Sequence, residues 1–324
     1  MDLDYILQHA AKSPVVHRHN AAKDALQQCL LAALGRQGLL AGVALIGGTA
    51  LRILHQLPRY SEDLDFIWGN PQDIGPTAEW ETTIRRAVQK IGLNPHISAK
   101  GPQKVDARVE KRSFTIYVAA THPSIVPFAR DGLQISFELD LDPPQGTLRE
   151  FRTLTIAGEQ VTVPTLTLPS LMCGKLHILL TRSDREKGRD WYDYLWYRRA
   201  GILPNIPQLQ NAIDQTSTGP DARYWASYLR ERTKHVDWEN IRHDVAPFLL
   251  NQEEVKDLNE ITIANITPYP DFAEIAHELE RLGLTHPLLT SPNPVVADIE
   301  QAAMEGEIDA IDAQRVIDRL RSAG

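Results

Sequence analysis

The sequence has very few cysteines, and their scarcity excludes two kinds of architecture. Of its 324 residues only Cys29 and Cys173 are cysteines. They form no Cys-x-x-Cys pair, and no histidine pair stands at zinc-finger spacing, so we expect neither a disulfide scaffold nor a structural zinc site. Two isolated cysteines also fit a reducing compartment, which predicts a cytoplasmic protein.

Long hydrophobic runs and several common enzyme motifs are absent as well. The longest apolar segment, residues 41–51, contains glycines and falls well short of the ~20 residues that a membrane-spanning helix needs. Asp2 and Asp4 stand where a secretion signal would carry positive charge, so we expect neither a membrane span nor such a signal. The chain also lacks a Walker lysine loop, a Rossmann fingerprint and a Gly-x-Ser-x-Gly elbow.

Acidic residues outnumber basic ones, but the two signs are unevenly distributed. Residues 206–324 hold 21 acids and 10 bases, whereas the preceding part holds 21 acids and 24 bases. A negative total does not exclude a nucleic-acid ligand if the bases cluster, because phosphate contacts are local. One such cluster comprises Lys175, Arg182, Arg185, Lys187, Arg189, Arg198 and Arg199. It is compatible with RNA binding.

The first part of the chain alternates helical and extended patterns. Residues 20–35 carry apolar side chains at helical spacing and predict a helix that ends at Gly35. Residues 43–46 predict a buried strand that turns sharply at Gly47 and Gly48 into a helix beginning near Thr49. Further strands are predicted within 105–120 and 133–142.

Carboxylates alternate with apolar residues on two of these strands. Leu64 and Phe66 point to one side of a strand, so Asp63 and Asp65 share the other. The strand at 133–142 likewise carries Glu138 and Asp140 on its polar face. Because the strand, the Gly-Gly turn and the next strand follow one another, we expect the turn and the carboxylates at the same end of the sheet.

Three carboxylates on neighbouring strands predict a divalent-metal site for phosphoryl transfer. Mg²⁺ prefers hard oxygen ligands, and a cation relieves the repulsion between clustered carboxylates. We predict Asp63 and Asp65 as ligands, with either Glu138 or Asp140 as the third and Glu138 favoured by its position. Backbone N–H groups at Gly47 and Gly48 could approach phosphate oxygens, and Thr49 and Ser61 could add hydroxyl donors.

The second part of the chain is predicted to be helical. We predict a helix from Ser170 as N-cap and another over 189–199, in which the aromatic residues of 191–197 form core. We place the domain boundaries at 1–165 for an α/β domain, 166–284 for a helical domain, and 285–324 for a proline-rich linker with an acidic helical tail.

These motifs resemble those of a known family. GGTALRILHQLPRYSEDLDF is similar to the signature of the DNA polymerase β-like nucleotidyltransferases and, more narrowly, of AbiEii-type toxins. The family pattern continues with a helical lysine, here Lys175, and an Arg-Asp-x-x-Asp segment, here residues 189–193. The resemblance implies an α+β protein, with a nucleotidyltransferase domain built on a mixed sheet and followed by a helical domain.

The resemblance also implies roles for individual residues. It suggests metal ligation by Asp63 and Asp65, triphosphate contacts by the Gly-Gly turn, Ser61 and Lys175, and an essential late aspartate, Asp190 or Asp193, with Asp190 preferred. Lys175 would neutralise phosphate charge as pyrophosphate leaves. Arg189 is a further nucleotide-binding candidate.

The function that follows is transfer of a nucleotidyl group from an NTP to an acceptor hydroxyl. Relatives act as toxins of type IV toxin/antitoxin or phage-defence pairs, which implies a cognate antitoxin, and some modify the 3′ end of tRNA. Two alternatives stay open at this point. The acceptor could be a protein or a small molecule, or the chain could be a non-catalytic, antitoxin-like module that binds a basic partner through its acidic C-terminal region.

Overall fold

A computed structural model of the protein describes residues 3–68, 77–105, 109–118, 127, 132–182, 186–216 and 219–267, with scattered positions between 299 and 317. The predicted linker at 285–296 lies outside the described residues, as do Arg185 and most of the predicted acidic tail.

Seven strands form one mixed sheet at the centre of the protein. They are β1 Val43–Ile46, β2 Leu64–Trp68, β3 Pro95–Val105, β4 Val109–Val118, β5 Leu133–Asp140, β6 Arg149–Ile156 and β7 Glu159–Leu166. Their order across the sheet is β3-β4-β5-β2-β1-β7-β6. The pairs β1–β7 and β2–β5 are parallel, and the other neighbours are antiparallel.

Helices precede and interrupt the strands in the first part of the chain, and no further strand follows β7 in the described part of the chain. The first four are α1 Leu3–Lys12, α2 Arg18–Arg36, α3 Gly47–His55 and α4 Thr77–Lys90. The later ones are α5 Leu168–Thr181, α6 Gly188–Arg199, α7 Ile206–Thr216, α8 Trp225–Thr233, α9 Trp238–Val245 and α10 Glu260–Ile266. This order of elements confirms the predicted α+β class. None of the described helices is long and apolar enough to cross a bilayer.

One face of the sheet forms the core, and the alternation on β5 explains why. Ile135, Phe137 and Leu139 are buried, whereas Glu138 between them is exposed. The Phe137 ring stacks on Phe114 of β4 with centroids 4.6 Å apart, and the Trp80 ring of α4 meets it edge-on. The polar side chains of β2 and β5 therefore point to the opposite face.

Several local predictions differ from the structure, and at the start of α5 a distant contact explains the difference. Strands β3, β6 and β7 were not predicted, and α3 begins at Gly47 rather than near Thr49. The N-cap of α5 is Thr167, because the Ser170 hydroxyl instead accepts a hydrogen bond from the Leu148 N–H at 3.0 Å. Helix α2 continues past Gly35 to Arg36, and Gly38 takes the left-handed conformation after it.

The later helices hold the segment that leads into β2. The Tyr60 N–H donates to the Phe248 carbonyl at 2.9 Å, and the Leu250 N–H donates to the Pro58 carbonyl at 3.1 Å. The segment that leads to Asp63 and Asp65 is thus held in place by residues that follow the sheet in the sequence. The predicted domain boundaries remain predictions; β7 ends at Leu166, one residue after the first of them.

Helix α6 is buried on almost every side. Trp191, Tyr192, Tyr194 and Tyr197 are each at most 2% exposed, so the expectation that this aromatic run forms core is confirmed. Such complete burial explains why the helix shows no clear apolar stripe in its sequence.

Candidate active site

The strand register brings the carboxylates together at one end of the central strands β5, β2 and β1. We call this place the carboxylate edge. Ile46, the last residue of β1, pairs with Asp65 of β2, and Asp65 pairs in turn with Glu138 of β5. Asp140 pairs with Ile67, two residues further along each strand and away from this edge. Neighbouring strands lie about 4.8 Å apart, so Asp65 and Glu138 are direct neighbours. Asp63 immediately precedes β2 at the same edge.

Gly47 has two reasons to be a glycine. Its φ of +71° lies in the left-handed region, which L-residues with a side chain rarely adopt. In addition, a Cβ at this position would stand 2.6 Å from Oδ2 of Asp65. The Asp65 carboxylate thus packs directly against the start of α3, where backbone N–H groups favour negative charge.

The backbone of Asp63 is fixed by two buried side chains. The Thr49 hydroxyl donates a hydrogen bond to the Asp63 carbonyl, and the Gln27 amide donates to the same oxygen at 3.4 Å. Thr49 and Gln27 are both fully buried. The Thr49 hydroxyl, which we predicted as a phosphate donor, is therefore already engaged in positioning Asp63.

The environment of Asp63 is unfavourable for its negative charge. Burial raises the pKa of its carboxyl above the ordinary value, and the charges of Glu62 and Glu138 add to this, while Lys23 and Arg189 oppose it. Glu138, which pairs with Asp65 in the strand register, thus adds to the unfavourable charge around Asp63. A bound cation would relieve that repulsion.

The donor set at this edge fits a hard divalent cation. Asp63, Asp65 and Glu138 supply only carboxylate oxygens, which Mg²⁺ prefers over nitrogen or sulfur ligands. In the described part of the chain, no three His, Cys, Asp or Glu side chains converge tightly enough to hold an ion as they stand.

Gly48 makes a second close approach. A Cβ there would stand 2.6 Å from Nη2 of Arg59 and 2.8 Å from the Ser61 hydroxyl. The Arg59 guanidinium and the Ser61 hydroxyl therefore lie against the first turn of α3. This contact joins the Gly-Gly turn to the segment that precedes β2.

Arg59 begins a buried network of charges that reaches into the helical part. Its Nε and Nη2 each lie 2.6 Å from an oxygen of Asp193. Lys175 Nζ lies 2.9 Å from Asp193 and 2.8 Å from Asp190, and Arg182 lies 3.3 Å from Asp190. Three cations and two anions leave the network with one net positive charge.

Burial and pairing compete in the pKa values of this network. Burial alone would lower the pKa of Arg59 and of Lys175, but the neighbouring aspartates raise both above their ordinary values. Burial alone would raise the pKa of Asp190, yet Lys175 and then Arg182 hold it below its ordinary value. Arg59, Lys175 and Asp190 therefore stay charged at neutral pH.

Glu62 joins two further cations beside Asp63. Its carboxylate lies 2.6 Å from Nη1 of Arg189 and 3.5 Å from Nζ of Lys23. Burial would raise the pKa of Glu62, but Lys23 and Arg189 hold it below its ordinary value. Arg189 also lies over the Phe248 ring, with its Cζ 4.6 Å from the centroid.

The predicted basic cluster does not form one surface. Lys175, Arg182 and Arg189 face the carboxylate edge or its supporting network. At the far end of α6, Arg198 donates to the Ile266 carbonyl and Arg199 pairs with Asp257 on the surface. Only part of the cluster can contribute to the site, because α6 rises about 1.5 Å per residue and separates its two ends.

Sequence reasoning did not assign a role to several residues that the structure places here. Arg59, Glu62 and Lys23 all contact or flank the predicted site residues. Arg59 was visible only as part of the family pattern. A buried arginine cannot be told from an exposed one by local sequence, and Lys23 lies in a helix that carries no motif.

Comparisons with known proteins bear on the family. A family model described as nucleotidyl transferase AbiEii toxin, type IV toxin–antitoxin system, matches residues 29–284. A candidate nucleotidyltransferase from H. pylori is 17% identical with a TM-score of 0.42, and the similarity covers 80% of this chain and 96% of that one. JHP933 from Helicobacter pylori is also 17% identical, with a TM-score of 0.41 and coverage of 80% and 95%. Curated proteins gave no match.

The family match spans most of the chain and includes the Gly-Gly turn, the carboxylate edge and the charge network. The chain belongs to the AbiEii family of nucleotidyl transferase toxins of type IV toxin–antitoxin systems, and it is a nucleotidyltransferase.

Proposed function

We propose that the protein transfers a nucleotidyl group from an NTP to an RNA hydroxyl, with the 3′ end of tRNA as acceptor, and that the transfer depends on Mg²⁺. The observation that carries this proposal is the register of Asp65 with Glu138 directly beside the Gly47 turn. This arrangement would bring cation ligands and a phosphate-binding helix start to one place.

Asp63, Asp65 and Glu138 are the residues that would hold the cation. Bound there, Mg²⁺ would neutralise phosphate charge and act as a Lewis acid. The acceptor oxygen forms a bond to the α-phosphorus, the bond from that phosphorus to the leaving pyrophosphate breaks, and the hydroxyl proton passes to solvent.

The protein's own groups would bind and orient the triphosphate. The first turn of α3, with Ser61 beside it, offers donors to phosphate oxygens. The net positive charge of the network around Lys175 favours the anionic triphosphate, and Asp190 and Asp193 keep the Lys175 ammonium in place. Arg189 adds a cation beside Asp63.

The family supports a biological setting for this activity. We propose that the protein acts as a toxin with a cognate antitoxin, and that its modification of tRNA 3′ ends serves phage defence. We propose the cytoplasm as the compartment, since Cys29 and Cys173 are both buried and neither forms a disulfide. The tRNA acceptor is supported by the cations Lys175, Arg182 and Arg189 near the carboxylate edge.

Labelled nucleotides test this proposal directly. The protein is incubated with Mg²⁺ and each α-³²P-labelled ribonucleoside triphosphate in turn, first with total RNA and then with a protein extract. We expect label on the 3′ end of tRNA with one triphosphate, and no label with the Asp65→Asn variant. Label on protein alone would overturn the RNA acceptor, and no label on any acceptor would overturn the transfer itself.

A further inference from the structure

Two cations from different helices converge on one carboxylate beside Asp63. Lys23 belongs to α2 and Arg189 to α6, and each faces a different oxygen of Glu62. Lys23 precedes the residues that the family model matches, so the family pattern does not account for it. A carboxylate bridging two cations through separate oxygens presents the same pattern of charge as two oxygens of a phosphate group.

The two cations are held more firmly than the anion between them. The Lys23 side chain is 10% exposed, and Gln27, one helical turn later, binds the Asp63 carbonyl. The Arg189 side chain is 20% exposed and packs over Phe248. The Glu62 side chain is 35% exposed and belongs to the irregular segment before β2. Glu62 can therefore rotate toward solvent while both cations stay.

We propose that Lys23 and Arg189 form a phosphate-binding site that Glu62 occupies in the free protein and leaves when a phosphate ligand enters. The inference rests on the proposed function, because it adds a second anion contact to the same site. Two sources of the phosphate share this chemistry: the triphosphate of the nucleotide and a backbone phosphate of the nucleic-acid acceptor.

Removing a cation and removing the anion of this site should change the ligand affinity in opposite directions. Lys23→Met keeps the aliphatic stem and removes the charge, so ligand affinity falls by about tenfold, as expected for a lost charge-assisted hydrogen bond. Glu62→Gln removes the competing anion, so affinity rises by about fivefold. Lys23→Arg restores binding. If Glu62 served only to hold α2 and α6 together, its replacement would weaken binding or leave it unchanged.

Two probes separate the sources of the phosphate. Calorimetry with the four α,β-methylene ribonucleotides and Mg²⁺ measures the donor, and fluorescence anisotropy with a short labelled single-stranded RNA measures the acceptor. In the acceptor arm, Lys23→Met also lowers the slope of log affinity against log salt by about one. Lys256→Met is the matched control, because Lys256 forms an exposed pair with Glu253 and its loss leaves both affinities unchanged.

The outcomes separate this inference from the proposed function. If Lys23→Met loses affinity for one of the two probes and Glu62→Gln gains affinity for the same probe, the result supports the site and identifies the source of the phosphate. Unchanged affinities in both arms for Lys23→Met overturn the site alone if the wild type still transfers label to RNA. Absence of both binding and transfer in the wild type overturns both proposals. Urea unfolding of each variant confirms that the comparison is between folded proteins.

Discussion

Arg59 and Asp193 form a buried bidentate ion pair, although they lie 134 positions apart in the sequence. The exposure of the Arg59 side chain is 2% and that of Asp193 is 0%. The pair joins the segment beside the Gly-Gly turn to α6, so it links the sheet to the helical part at the candidate active site.

Removing either partner of this pair should be strongly destabilising. We expect Asp193→Asn or Arg59→Met to lower the free energy of unfolding by about 3–5 kcal/mol, because each unbalances the buried charges: the first leaves Arg59 without its carboxylate, and the second leaves Asp193 with Lys175 as its remaining cation. Arg59→Lys should not restore stability, since an ammonium group cannot form the two parallel hydrogen bonds that the planar guanidinium makes with Asp193. Urea denaturation measures the effect.

The exposed pair of Arg199 and Asp257 provides the control. Its N–O distance of 2.8 Å is similar, but its side chains are 46% and 42% exposed. Arg199→Gln should change stability by less than about 1 kcal/mol. Equal effects of Arg59→Met and Arg199→Gln would contradict the importance that we assign to burial.

Gly47→Ala should damage the site through two separate effects. The left-handed backbone costs an alanine about 1–2 kcal/mol, and the new Cβ would displace the Asp65 carboxylate. Gly201 has the same φ of +71°, but a Cβ there would meet no atom of the described residues within 4 Å. We therefore expect both alanine variants to lose stability in unfolding experiments, and only Gly47→Ala to lose transfer activity.

The register identifies which acid on β5 should matter. Glu138→Gln removes the partner of Asp65 and should reduce the transfer rate at least about 100-fold, or about 2.7 kcal/mol of activation free energy. Asp140→Asn should stay within about threefold, because Asp140 pairs further along the strand and one of its oxygens accepts the Asp142 N–H at 3.0 Å. Rates measured over a range of Mg²⁺ concentrations test this, and a larger loss for Asp140→Asn would reverse the assignment.

His55 should make stability depend on pH. Its side chain is 4% exposed, and burial, helped by the charge of Arg152, lowers its pKa to about 4. The unfolded chain, with an ordinary pKa of about 6.5, binds the proton first as pH falls. The stabilising contribution is therefore complete above pH ~6.5 and is lost as pH falls toward ~4.

Between pH 7.5 and pH 5 this difference amounts to about 2 kcal/mol of unfolding free energy. His55→Gln should lose less stability than the wild type over that interval, as measured by urea unfolding at both pH values. His235→Gln, at a side chain 76% exposed, should follow the wild type. An equal loss of unfolding free energy in wild type and His55→Gln would show that folding does not lower the pKa of His55.

Local sequence patterns were enough to predict a strand or helix that buries one of its faces. The run Val43–Ile46 and the alternation around Phe137 follow from apolar spacing alone, and the Gly-Gly turn with Asp63 and Asp65 was visible as a motif. Strand β7 was not predicted, because it contains Pro164 and its pattern depends on pairing with β6 and β1. The N-cap of α5 moved because Ser170 binds Leu148, a contact that no local rule includes.

Short motifs and residue spacing were enough to predict the family, the α+β class and the residue types that can bind a cation and a triphosphate. Tertiary contacts were needed to establish that Glu138 rather than Asp140 pairs with Asp65, that Arg59 and Lys175 share Asp193, and that Lys23 reaches the site. Register and long-range ion pairs depend on which strands and helices become neighbours, and that is fixed by burial of the whole chain rather than by any one segment.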